Sequence, residues 1–106
     1  MAKYLLQAKY VGEGVKGLLK DGGTKRRAAA EASIKSVGGT LEAFYFAFGE
    51  SDAVLIADLP DHIAMSALAL TVNASGVVSI STTVLLTPED VDKVTQKSVQ
   101  FRAPGA

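Results

Sequence analysis

The sequence predicts an α+β fold in which one antiparallel sheet carries helices on a single face. Two observations carry that expectation. Between Leu41 and Asp58 lie two apolar, strand-like runs joined by a short polar turn, with a helix-like segment on either side. Toward each end of the chain a further stretch alternates apolar and polar residues with the period of two that a half-buried strand requires.

The first strand is Lys3 to Tyr10, where Tyr4, Leu6, Ala8 and Tyr10 point one way and Lys3, Leu5, Gln7 and Lys9 the other. Val11 to Gly23 contains five glycines, whose backbone freedom makes a long regular helix costly, so this stretch reads as a connection with irregular helical character. Thr24 is placed to cap a helix over Lys25–Val37, with Ala30, Ser33, Ile34 and Val37 on one face and Gly38-Gly39 as its stop. Thr40–Phe48 and Ala53–Asp58 then form a hairpin across Gly49–Asp52. Ala53–Ala57 is apolar at every position, as an interior strand covered on both faces would be.

Pro60 stops that strand, and Asp61 caps a second helix over His62–Ala74. This helix is apolar on two sides, with Ile63, Ala67, Leu70 and Ala74 in one stripe and Met65, Leu68 and Val72 in another. A lone one-sheet domain can bury only one of them, so a partner subunit is expected on the other, and Leu68 is a candidate contact. Val77–Leu86 alternates again as strand four. Thr87-Pro88-Glu89-Asp90 opens a terminal helix to about Ser98, with a hydroxyl cap, proline in the first turn and acids against the positive end of the dipole.

The order β-α-β-β-α-β plus a terminal helix is the split-βαβ, or ferredoxin-like, arrangement. At 106 residues it makes one domain, expected over residues 1–98, with residues 99–106 as a tail. The second sheet face would expose at least Leu5 and Leu85, and two sheets meeting face to face as a homodimer or higher homo-oligomer would hide it.

Composition removes several function classes. Eleven basic and eleven acidic residues give zero net charge, so no positive field exists to hold nucleic acid or an anionic membrane surface. The absence of cysteine excludes thiolate nucleophiles and sulfur-based zinc sites, and no metal or cofactor is expected. Lysines interrupt the apolar patch near the amino terminus, where a signal peptide needs a continuous one, so a cytoplasmic location is the expectation.

Three stretches carry a family resemblance: Lys16–Arg27, Leu41–Gly49 and Thr82–Glu89. On these the chain resembles the GYD-domain proteins, a small family of ferredoxin-like domains of the dimeric α/β-barrel kind. Gly49-Glu50-Ser51-Asp52 departs from the family pattern, with serine where tyrosine is usual. The resemblance implies the fold and self-association, and it assigns no reaction to any residue.

His62, the sole histidine, reads as a solvated residue in the first turn of a helix. Lys25-Arg26-Arg27 could hold an anionic group near a helix start, but cations there oppose the helix dipole, so an exposed charged face is the expectation. Gly12, Gly14 and Gly17 match the spacing of a dinucleotide-binding turn, but an antiparallel sheet and the lack of an acid ending a parallel second strand favour simple loop flexibility.

The candidate ligand set is Gln7, Lys9, Tyr45, Ser81 and Thr83, on the face away from the helices, where a paired sheet would close a small cleft around a small-molecule ligand. The competing explanation is a partly hydrated interface. Tyr45 belongs to this set only in one strand register, because a slip by one residue replaces it with Phe44 and Phe46. The function expected is therefore a homo-oligomeric binding or structural module. The alternative is a cofactor-independent oxygenase or isomerase with Lys9 as base, Tyr45 as acid and Asp52 as orienting group.

Overall fold

In the computed structural model, which describes residues 1–106, the chain folds as β1 (Ala2–Tyr10), α1 (Glu13–Ser36), β2 (Thr40–Phe46), β3 (Ala53–Leu59), α2 (His62–Ala74), β4 (Val78–Leu85) and α3 (Pro88–Val94). The four strands form one sheet in the order β2-β3-β1-β4, with every neighbouring pair antiparallel. This is the ferredoxin-like arrangement. Alternation in β1 and β3 puts Tyr4, Leu6, Ala8, Tyr10, Ala53, Leu55, Ala57 and Leu59 under the helices, where all are buried. Ile34 from α1 and Met65 and Leu68 from α2 complete this core.

The segment between β1 and Thr24 differs from the sequence expectation. It is helical from Glu13 onward rather than irregular, and the glycines are confined to one break, where Gly22 takes a non-helical backbone (φ 78°, ψ 174°). A Glu13–Lys16 ion pair of 3.2 Å supports the first turn, and Thr24 lies inside α1 instead of capping its start. One positive-φ glycine therefore divides α1 into two helical segments that meet at a kink.

The Gly12, Gly14 and Gly17 pattern also has a packing origin. A Cβ on Gly14 would lie 2.0 Å from the Val77 carbonyl oxygen, so only glycine lets α1 start against the α2–β4 connection. Beside it the Val11 N–H donates to the same oxygen at 3.0 Å. The stop at the other end of α1 is as expected: Gly38 has φ 84°, and Gly38 and Gly39 donate to the Lys35 and Ile34 carbonyls.

Helix α2 keeps its expected bounds, and the Asp61 carboxylate accepts from the Ala64 N–H at 2.8 Å. Its two stripes separate cleanly. Met65 and Leu68 face the sheet, so Leu68 is an internal core contact and not the subunit contact expected, while Ile63 and Leu70 face outward and are exposed. Helix α3 has the full capping box between Thr87 and Asp90 but ends at Val94, four residues early. There Gln96 and Lys97 donate to carbonyls three residues back, tightening the last turn until the helix stops.

The helices cover the sheet thinly. α1 leans on β2 and α2 on β4 and β3, and only 12 of the 106 residues are buried. The accessible surface is 7301 Å² for 11.0 kDa, against about 5,600 Å² for a compact monomer of that mass. The radius of gyration is 16.7 Å, against about 13 Å for a compact chain of this length.

The Gly14 contact yields a paired expectation in urea unfolding. Gly14→Ala should lose about 1–3 kcal/mol or more, because its methyl meets backbone that cannot rotate away. Gly17→Ala, with nothing within 4 Å of the added methyl, should gain about 0.5–1 kcal/mol from helix propensity. Equal effects would contradict the packing role given to Gly14.

Candidate functional site

The sheet has two chemically different faces. On the open face, away from the helices, the register aligns Tyr45 with Val54, Val54 with Gln7, and Gln7 with Ser81. The next row toward the far end of β1 is Ala43, Ile56, Leu5 and Thr83. Tyr45 thus takes the open face and is 72 % exposed, while Phe44 and Phe46 turn inward and pack edge to face with centroids 5.0 Å apart. Glu42 is the extra residue of a bulge between Leu41 and Ala43.

Gln7, Tyr45, Ser81 and Thr83 therefore share one surface, with Lys9 at its edge, as the alternation predicts. Among these only Lys9 has a charged partner: its Nζ lies 3.5 Å from Asp52 Oδ1. The other Asp52 oxygen accepts from the Tyr10 N–H at 2.9 Å, and the Asp52 N–H donates to the Ala8 carbonyl at 2.8 Å. Asp52 is consequently a clamp on the end of β1, with its carboxylate engaged by backbone and by Lys9. Tyr45 is separated from Lys9 by β3, whereas Asp52 lies just before β3 and its carbonyl accepts from the Ala47 N–H, two residues beyond Tyr45, at 2.9 Å.

A second charged group lies at the opposite end of the open face. Lys3 Nζ donates to Glu42 and, at 3.1 Å, to Asp58 Oδ1. The Glu42 hydrogen bond, followed by the Asp58 one, holds the Lys3 ammonium above the usual lysine range. Every lysine on the open face is thus matched by a carboxylate, and the apolar side chains between the two groups are Leu5, Val54, Ile56 and Ala43. The Lys9–Asp52 pair is neutral, and the Lys3 group, with two carboxylates around one ammonium, carries one excess negative charge at the border of the face.

The other face holds the larger space, and sequence reasoning missed it. A cleft of about 210 Å³ opens between α1 and α2. Leu6, Ala8, Leu55 and Ile80 form its floor, Ala30 and Ile34 one wall, and Leu68 and Val72 the other. Thirteen of its fifteen lining residues are hydrophobic, the exceptions being Arg26 and Ser33.

Arg26 does not belong to an exposed charged face. Its guanidinium carbon lies 5.9 Å from the centre of the Tyr10 ring, in cation–π range, and its Nε is shielded from water with no hydrogen-bond partner. Lys25 and Arg27 are exposed, as is His62 at the start of α2. The legible signal was the helical phase that puts position 26 on the same side as Ala30 and Ile34, but it was hidden inside a run of three cations.

With this geometry in hand, comparison with known families is decisive. A family model for the GYD domain matches residues 4–95. The chain belongs to the GYD domain family. No curated protein and no solved structure matches it. The match takes in β1 from Tyr4 onward, the other three strands and all three helices, so the helix-side cleft and the open face apart from Lys3 lie within the GYD domain. No cluster of three or more His, Cys, Asp or Glu side chains is arranged to hold a metal ion, and no helix is long and apolar enough to cross a membrane.

The Lys3 cluster gives a signed pH expectation. The folded state holds this proton more tightly than the unfolded chain, so the contribution is complete below the ordinary lysine value of about 10.4 and is lost as pH climbs through the raised folded value. In urea unfolding, the stability gap between wild type and Lys3→Met should be constant through neutral pH and shrink above pH ~10.4. A gap unchanged at high pH would show that the cluster contributes nothing through its charge.

Proposed function

We propose that this GYD domain is a self-associating small-molecule binding module: two copies pair open face to open face, and each keeps its ligand in the cleft between helices and sheet. The observation that carries this reading is the open face itself. It presents a continuous apolar middle, Leu5, Val54, Ile56 and Ala43, bordered by lysines already neutralised within the same chain. Desolvating paired charges costs far less than desolvating bare ones, and the one excess negative charge, in the Lys3 group, lies at the border of the face and not in its apolar middle.

The surface in excess of a compact monomer is roughly 1,700 Å², shared among the open face, the thinly covered helix layer and the wholly exposed residues 91–106. Sheets packed face to face stand about 10 Å apart, a spacing that side chains such as Leu5 and Ile56 fill by interdigitation. In that arrangement Gln7, Ser81 and Thr83 become polar members of the interface, and the exposed Tyr45 phenol lies near its rim.

The cleft supports the binding half of the reading. An apolar, concave space with few polar groups is the general chemistry of a ligand chamber. Because all of its walls come from one chain, binding does not require the dimer. On this reading we assign the ligand to the space under the helices in preference to the open-face set Gln7, Lys9, Tyr45, Ser81 and Thr83.

Sedimentation equilibrium tests the self-association. Wild type should give twice the 11.0 kDa chain mass at micromolar concentration, and Ile56→Glu, which leaves the helix-side core untouched, should give a folded monomer. A wild-type protein that stays monomeric throughout would overturn the proposal.

A further inference from the structure

We infer that the cleft is built for a monoanionic amphiphile, a carboxylate with an apolar body of about bicyclic size, anchored on Arg26. This rests on the reading of the cleft as a ligand chamber. Arg26 is the one cation on the cleft wall, and it is incompletely satisfied. No carboxylate of the chain comes within ion-pairing distance of it, and its Nε has lost water without gaining an acceptor. The Tyr10 ring supports the guanidinium from beneath but offers a π face and not a lone pair. A planar carboxylate supplies the missing acceptor oxygens in the geometry that a guanidinium fork prefers.

The surrounding charge selects the ligand's own charge. Glu13 and Asp21 border a smaller hollow of about 150 Å³ that shares Arg26 with the cleft, so a second negative charge on the ligand would meet two acids and one cation. A phosphate dianion fits this balance poorly, and a single carboxylate fits it. A cationic ligand would face Arg26, and a neutral acceptor such as an amide would give the guanidinium one oxygen without the charge-assisted, two-oxygen pairing of a carboxylate. Size follows from volume: an apolar cavity of about 150 Å³ takes benzene, and 210 Å³ has room for a second fused ring.

Calorimetric titration of the full chain with 2-naphthoate, 2-naphthamide and 2-naphthylmethylammonium tests the assignment. One naphthoate should bind per chain, about tenfold or more tighter than the amide, with the ammonium weakest. Arg26→Met should erase most of the preference for naphthoate while leaving amide affinity within about threefold, and Arg26→Lys should restore part of it. Ligand-induced NMR shifts at the Leu68 and Ile80 methyls should locate all binding in the cleft. Equal affinities for acid and amide, or a preference that survives Arg26→Met, would overturn the carboxylate assignment while leaving the chamber standing. Failure of all three probes to bind wild type would overturn the chamber and the assignment together.

Discussion

The structure depends on one constraint: both helices that follow strands of this antiparallel sheet cross on the same side. Right-handed connections from β1 to β2 and from β3 to β4 leave no choice of face, so the chain has nothing with which to cover the other one. The open face must then either be polar throughout or be covered by another molecule. Here it is not uniformly polar: its charged groups stand at the two ends, and Leu5, Val54 and Ile56 occupy the middle beside Gln7 and Ser81.

The thinness of the helix layer has a second consequence. α1 contributes a single buried side chain, Ile34, from 24 residues, and with a kink at Gly22 and alanines at 28–30 it offers little side-chain volume to fill the space above the sheet. The space left between α1 and α2 is the cleft. A bulkier α1 face would convert that space into ordinary core and remove any chamber. The same sparse packing that makes the isolated chain surface-rich therefore also creates its half-open apolar cleft, and occupation of the cleft would add stability by mass action.

Much of this was legible in the sequence, for reasons that differ by element. The alternation in Lys3–Tyr10 and Val77–Leu86 assigned the faces correctly, since a period of two is hard to mistake over eight residues. The two stripes of α2 were also legible, but which one faced inward was not: both are apolar, and the choice is made by the contacts of Met65 and Leu68 with the sheet. The start of α1 was misread because glycine propensity was summed over the stretch, whereas Gly14 and Gly22 act individually, one by close approach and one by a positive-φ bend. The face of Tyr45 depended on a register that the Glu42 bulge helps to set. Arg26 was the least legible residue, because a cation beneath a helix looks, in sequence, like its exposed neighbours Lys25 and Arg27.

The absence of cysteine makes the central claim directly measurable, since spin labels can be attached at single introduced sites without interference. Pulsed dipolar spectroscopy on Thr83→Cys, labelled on the open face, and separately on Leu70→Cys, labelled on the outer stripe of α2, reports which surface faces its copy. The account predicts a short intermolecular distance from the open-face label, on the order of 10–25 Å for sheets packed face to face, and a much longer one from the helix label. A short distance from Leu70→Cys with no intermolecular signal from Thr83→Cys would place the contact on the helices and contradict the account.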